Sequence, residues 1–236
     1  MATIAIGNED RAFVLTGAGI SAESGLPTFR ASDGLWAGHR IEDVCTPEAW
    51  DRDPALVWEF YSARRAAAQQ AEPNPAHFAL AKLEARLSDR FFLCTQNVDD
   101  LHERAGSARL VHMHGDLATS RCERACGSPP VADRTIYRSL AEVGRCRCGG
   151  RLRPNIVFFG EIPLEMDRIQ REIGRATLML VVGTSGSVYP AASFVHWART
   201  SGARTVYVGP EPPLNAAAFT HVVEARAGEV LPGLFG

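Results

Sequence analysis

The sequence has almost no excess of charge of either sign: 25 Lys and Arg stand against 27 Asp and Glu, a formal net charge of −2. Such a balance gives no global field for drawing in nucleic acid or an anionic membrane surface, so neither is expected as a partner. Long hydrophobic runs are missing too, and no window approaches the length of a membrane span. The opening MATIAIGNEDRAF lacks the basic region, apolar stretch and small-residue cleavage site of a secretory leader, which predicts a cytoplasmic protein. Cysteine is scarce: six in 236 residues cannot make a disulfide scaffold. No internal repeat or low-complexity linker interrupts the chain. What is present is 46% hydrophobic residues, enough to bury a real core as one large domain or one domain with an insertion.

Short apolar runs alternate with helical patterns: Ala12 to Leu15, Arg90 to Thr95, Arg109 to His112, Asn155 to Phe159, Thr177 to Val182 and Thr205 to Val208. Bounded by Gly and polar residues, they predict the buried parallel strands of an α/β, Rossmann-like, doubly wound sheet. Two segments break the rhythm. Residues 31–79 read as helices punctuated by Pro47, Pro54, Pro73 and Pro75. Residues 118–153 hold four clustered cysteines and many arginines, with little apolar periodicity of their own. The expectation is one catalytic domain over 1–236: a large lobe of about 1–30, 80–117 and 154–236, and a smaller lobe from a helical insertion (31–79) and a metal-binding one (118–153).

The stretch TGAGISAESGLPTFR, from Thr16 to Arg30, follows the first apolar run. Gly17-Ala18-Gly19 suits a tight turn and close approach of backbone to phosphate. A dehydrogenase fingerprint would place its next glycine at position 22, and an Asp or Glu closing a second strand about 20 residues on. Here the next glycine is Gly25, and Asp33 sits in the loop Phe29-Arg30-Ala31-Ser32-Asp33-Gly34, so hydride chemistry loses ground.

Two further clusters carry chemistry. Cys122-x3-Cys126 and, after 19 residues, Cys146-x-Cys148 supply four thiolates, the number a closed tetrahedral zinc site needs. Both pairs depart from the usual two-residue spacing, and reduced, unliganded thiols are the alternative. Cys45 and Cys94 read as small buried hydrophobes. The arginines around the cluster read as a solvated basic face rather than a nucleic-acid module. His112 and His114 lie two apart and so share one face of a strand running into Gly115; a histidine titrates in the range a general base needs, and pattern does not separate the two.

The glycine loop resembles the first signature of the sirtuins, the NAD-dependent protein lysine deacylases, G-A-G-x-S-x-x-S-G-x-x-x-F-R, met here by Gly17, Ala18, Gly19, Ser21, Ser24, Gly25, Phe29 and Arg30. Thr95-Gln96-Asn97-Val98-Asp99, His114-Gly115-Asp116-Leu117 and Gly183-Thr184-Ser185 follow in the family's order, with the cysteines between the later two, so the resemblance spans nearly the whole chain. It implies NAD as cofactor and one structural zinc on Cys122, Cys126, Cys146 and Cys148. His114 is implied as general base. Arg30 and the glycine loop would hold the pyrophosphate, and Phe29 would cover the reacting centre. Asp99 would grip the nicotinamide carboxamide, with Gln96 and Asn97 at the ribose and Val98 beside them. Glu23 and Trp36 join the implied NAD contacts. Gly183, Thr184 and Ser185 would meet the adenosine half. Gly209 stands where the family commonly has Asn, leaving that contact to backbone, and Ala227 would lie near the adenine. Val157, Phe158, Phe159 and Gly160 resemble the strand that pairs with a substrate peptide.

Tyr61 and Arg64 lie three apart on a helical stretch and project together, a pairing that suits a carboxylate. They match the Y-x-x-R pair of desuccinylase and demalonylase sirtuins, whose branch Thr28 also resembles. The implied function is removal of succinyl, malonyl and acetyl groups from lysines of protein substrates. A sirtuin acting mainly as a deacetylase or mono-ADP-ribosyltransferase, a Rossmann-type oxidoreductase and a non-catalytic zinc module are the rivals. The oligomeric state is left open, a monomer being compatible with every motif.

Overall fold

The computed structural model describes residues 6–7, 9–28, 35–36 and 38–235. In chain order the elements are β1 (Ala12–Thr16), α1 (Ala18–Ala22), β2 (Leu35–Trp36), β3 (His39–Arg40), α2 (Ile41–Val44), α3 (Pro47–Arg52), α4 (Pro54–Gln70), α5 (Pro75–Leu87), β4 (Phe91–Thr95) and α6 (Leu101–Arg104). There follow β5 (Leu110–His112), β6 (Gly115–Cys122), β7 (Val131–Ala132), β8 (Leu152–Ile156), α7 (Met166–Arg175), β9 (Leu178–Val182), α8 (Phe194–Thr200), β10 (Arg204–Gly209), β11 (His221–Glu224) and α9 (Ala227–Leu234).

Six strands form one parallel sheet in the order β11-β10-β9-β1-β4-β5. This is the dinucleotide-fold order, with the chain reversing direction across the sheet between β1 and β9. Alternating residues of each strand bury opposite faces. Val14, Leu93, Leu180 and Val208 pack with α5 and α9, while Phe13, Phe92, Met179 and Tyr207 pack with α7 and α8. A third apolar cluster lies away from the sheet and joins Val44, Trp50, Trp58, Phe60 and Tyr61 to Leu117, Ile156 and Phe158.

Three of the four prolines of the helical insertion are helix starts, and Pro73 lies in the loop between α4 and α5. Pro47, Pro54 and Pro75 each occupy a first-turn position behind Thr46, Asp53 and Asn74, whose side chains accept from Ala49, Leu56 and Ala76 amides. Proline suits that position because its missing N–H would find no helical acceptor there.

Two strand expectations need correction. Asn155 to Phe159 is not a strand of the parallel sheet: β8 ends at Ile156 and pairs antiparallel with β6 in a separate sheet ordered β7-β6-β8. A short buried run looks the same in either setting. The parallel edge strand β11 is not among the expected strands, since its four residues His-Val-Val-Glu are too short an apolar run and three of them are exposed.

Candidate active site

The carboxyl ends of β1, β9 and β10 meet where the strand order reverses. Gly17 and Gly19 donate their amides to Val182 and Gly183 carbonyls at 3.0 and 2.8 Å, and Gly183 donates to Val208 at 2.9 Å. This brings the glycine loop, Gly183-Thr184-Ser185 and Gly209 together. Glycine is required by the contact: a Cβ on Gly19 would lie 2.7 Å from the Gly183 Cα. The geometry corrects one detail of the loop reading. The Gly17 and Gly19 amides are taken by the neighbouring strand, so they stitch the site and are not turned toward a phosphate. Ser185 Oγ lies 2.6 Å from Ser187 Oγ. Glu23 Oε1 accepts from the Gly228 amide at 2.9 Å, which brings Glu23 beside Ala227 at the start of α9.

The loop after β4 contributes the next wall. Asn97 and Asp99 are buried, and Gln96 and Val98 partly so. Asn97 Nδ2 donates to Ser21 Oγ, which in turn donates to Asp99 Oδ2, both at 3.1 Å. The glycine loop and the Gln96–Asp99 loop are thus one polar network. Burial pushes the Asp99 carboxyl above its usual range; bonds from the Leu101 amide and Ser21, and the charge of His112, pull the other way. His102 is buried behind this network, with Nε2 3.0 Å from Thr16 Oγ1 and its ring against His77, a packing role. Phe29, Arg30 and the Asp33 loop lie outside the described residues.

The structure separates the two histidines that the pattern leaves equivalent. β5 ends at His112 and β6 begins only at Gly115, whose φ of +81° makes a sharp corner between them. His112 has both ring nitrogens engaged, Nδ1 2.8 Å from the Asn97 carbonyl and Nε2 2.7 Å from Glu103 Oε1. His114 has Nδ1 3.2 Å from the Gln96 carbonyl and no partner at Nε2 among the described residues. A carbonyl only accepts, so Nδ1 of His114 carries the proton and Nε2 keeps its lone pair. Burial lowers the His114 pKa, which keeps the ring neutral near pH 7.

Val157 to Gly160 leaves β8 beside this histidine, the Val157 amide donating to the His114 carbonyl at 2.9 Å. The segment is not a free strand edge. The Phe158 amide donates to Glu161 Oε2 at 2.8 Å, the Phe159 amide to the Cys45 carbonyl at 2.9 Å, and Gly160 sits in a turn at φ +92°. The buried Phe158 ring stacks on Tyr61 with centroids 6.2 Å apart.

Tyr61 and Arg64 do come together on α4. Tyr61 is fully buried and its hydroxyl donates to Cys45 Sγ at 3.1 Å. The Arg64 guanidinium lies 4.5 Å over the Trp36 ring and 4.6 Å over Phe60, with Nε buried and unbonded and no carboxylate partner among the described residues. Burial draws its pKa down to about 10, so it stays charged at neutral pH. Trp36, expected among the NAD contacts, stands with this pair, its ring edge-on to Phe60 and Tyr61. Cys45 is thus more than a small buried hydrophobe; its link to Tyr61, 16 residues away, has no local signature in the sequence.

Sequence reading also passed over Arg65, next to Arg64 and buried. It donates to the carbonyls of Leu117, Thr135 and Thr119 and pairs with Asp133 at 3.1 Å. Beyond it, the four sulfurs of Cys122, Cys126, Cys146 and Cys148 lie within 4.8 Å of one another, with two Sγ–Sγ distances of 3.5 Å. Four thiolates about 2.3 Å from a tetrahedral zinc would stand about 3.8 Å apart. The irregular spacing therefore converges on a set that fits one zinc ion.

The sequence pattern of the Sir2 family matches residues 17–190. The chain is 51% identical over 227 residues to the NAD-dependent protein deacylase of Escherichia coli (strain K12), covering 94% of this chain and 80% of that one. It is 50% identical over 225 residues to the NAD-dependent protein deacylase of Caulobacter vibrioides, covering 94% of each. Among solved structures, a Sir2 homologue–NAD complex superposes with a TM-score of 0.86 at 39% identity, covering 96% of this chain and 89% of that one. A Sir2–p53 peptide–NAD+ complex gives 0.81 at 32% identity, covering 95% and 92%. With the family pattern matched over most of its length and half of its residues identical to such deacylases, the chain belongs to the Sir2, or sirtuin, family.

Proposed function

We propose that this protein is an NAD-dependent protein lysine deacylase that removes succinyl, malonyl and acetyl groups, giving nicotinamide and O-acyl-ADP-ribose. The observation that carries the catalytic part is His114, whose Nδ1 donates to the Gln96 carbonyl and whose Nε2 has no partner among the described residues, beside the Ser21–Asn97–Asp99 network. When bound, NAD supplies the ribose carbon that nicotinamide leaves and that the acyl oxygen attacks. Asp99 and its network would orient the carboxamide, and Gln96 and Asn97 the ribose. His114 Nε2 would take a proton from a ribose hydroxyl. Arg30 and Phe29 keep the roles that the resemblance implies, as do Gly183, Thr184, Ser185, Gly209 and Ala227 toward the adenosine.

Arg64 supports the acyl preference. A half-buried guanidinium with no carboxylate partner among the described residues is ready to take one from the substrate. Tyr61, packed between the Phe158 and Trp36 rings, would then exchange a weak sulfur acceptor for a charged oxygen. The peptide backbone would run along Val157 to Gly160, using the Val157 and Phe159 carbonyls, because the intervening amides are already donated. We read the parallel sheet as a cofactor lobe and residues 31–79 with 118–153 as a smaller lobe, in a protein of the cytoplasm.

Matched acetyl-, malonyl- and succinyl-lysine peptides test the preference. Arg64→Met is expected to lower succinyl kcat/KM by about 10- to 100-fold, the worth of a charged hydrogen bond, and to spare acetyl. An unchanged succinyl-to-acetyl ratio would leave a deacetylase and remove the clamp.

A further inference from the structure

His114 takes the base role, yet its neighbour His112 is the more tightly bound of the two. Its Nδ1 faces the Asn97 carbonyl at 2.8 Å and its Nε2 faces Glu103 Oε1 at 2.7 Å. Both partners are acceptors, and a neutral imidazole donates through one nitrogen only. The two bonds are satisfied together only by the imidazolium. The two histidines thus hold successive carbonyls, His114 that of Gln96 and His112 that of Asn97.

We propose that protonated His112, braced by Glu103, is a positioning residue that holds the Gln96–Asp99 loop in its NAD-binding shape and releases it when the proton is lost. The inference rests on the reading of this loop as part of the NAD site. Loss of the proton leaves a single donor for two acceptors, and the Asn97 backbone loses its anchor or the Glu103 brace goes. Asn97 also reaches Asp99 through Ser21, so the nicotinamide-facing carboxylate feels the same change.

The surroundings favour the charged ring. A cavity of about 170 Å³ behind the loop is lined by Asp99, Glu103, His112 and Asp116, and opens a route for proton exchange. Asp100 and Arg134 on its wall neutralise each other at 2.7 Å, and Arg65 is held by Asp133. His102 behind the ring is kept uncharged by burial. Burial of His112 itself opposes its charge, but the Glu103 bond and charge, the Asn97 carbonyl and Asp116 outweigh it and lift the pKa to about 8. A pKa raised above the ordinary 6.5 means that the contribution is fully present below about 6.5 and is lost as pH rises through about 8.

The test is NAD binding at equilibrium, with no acyl substrate present, followed by calorimetry from pH 6 to 9.5. Wild type is expected to weaken about tenfold across a midpoint near 8. Glu103→Gln should move that midpoint down toward 6.5. His112→Gln, whose amide donates to Asn97 at every pH, should flatten the profile, and His112→Ala should bind weakly throughout. NMR of the imidazole in the ligand-free protein should show the same downward shift in Glu103→Gln. A wild-type profile that is flat, or one that Glu103→Gln leaves in place, overturns the inference while the NAD site stands. Failure to bind NAD at any pH overturns both.

Discussion

The parallel sheet and the cysteine-bearing segment are held by different forces. Each strand from β1 to β10 in the sheet is flanked by apolar side chains on both faces, and its ion pairs lie outside, such as Glu172–Arg175 on α7. From Glu123 to Gly149, by contrast, no residue is buried. That segment is stapled by Arg65 to Asp133, by Glu123 to Arg151 and Trp50, and by the four cysteines. A region without a core takes its shape from a few strong polar bonds and a metal, so single substitutions there should act far more sharply than in the sheet.

The largest effect should follow from removing the metal. Cys122→Ser is expected to lower zinc from about one ion per chain to near none, with hydrogen exchange rising across 123–149 and β1 and β9 staying protected; elemental analysis and exchange mass spectrometry read both. Next is Arg65→Leu, which removes the cation paired with Asp133 and the donor to three backbone carbonyls, and should cost about 3 kcal/mol in urea unfolding. In the sheet, Ile173→Val trims one methyl from a packed helix face and should cost about 1 kcal/mol. Glu172→Gln, which breaks a long 3.7 Å pair with the exposed Arg175 on the same helix, should change stability by under about 0.5 kcal/mol. If Glu172→Gln cost as much as Arg65→Leu, the contrast between the two regions would fail.

Much of this was legible because local chemistry and tertiary placement agree. β1, β4, β9 and β10 are short runs of apolar residues that can only be buried on both sides, and the glycine loop follows the first of them directly. The i, i+3 spacing of Tyr61 and Arg64 was enough to pair them on α4. Asn155 to Phe159 misled because burial does not reveal which sheet a strand joins, and β11 escaped because an exposed edge needs no apolar pattern. His112 and His114 were inseparable by period. What distinguishes them is a corner at Gly115 and a glutamate on α6, and neither can be placed without the fold. The same holds for Cys45 beneath Tyr61 and for Arg65 beneath β6.

The central claim is acyl transfer to NAD with His114 as base. Mass spectrometry of a malonyl- or acetyl-lysine peptide incubated with NAD should show nicotinamide, deacylated peptide and O-acyl-ADP-ribose rising in equal amounts. His114→Ala should slow all three by about 10²–10⁴-fold and still bind NAD. Deacylation that proceeds without NAD, or at the wild-type rate in His114→Ala, would contradict the account.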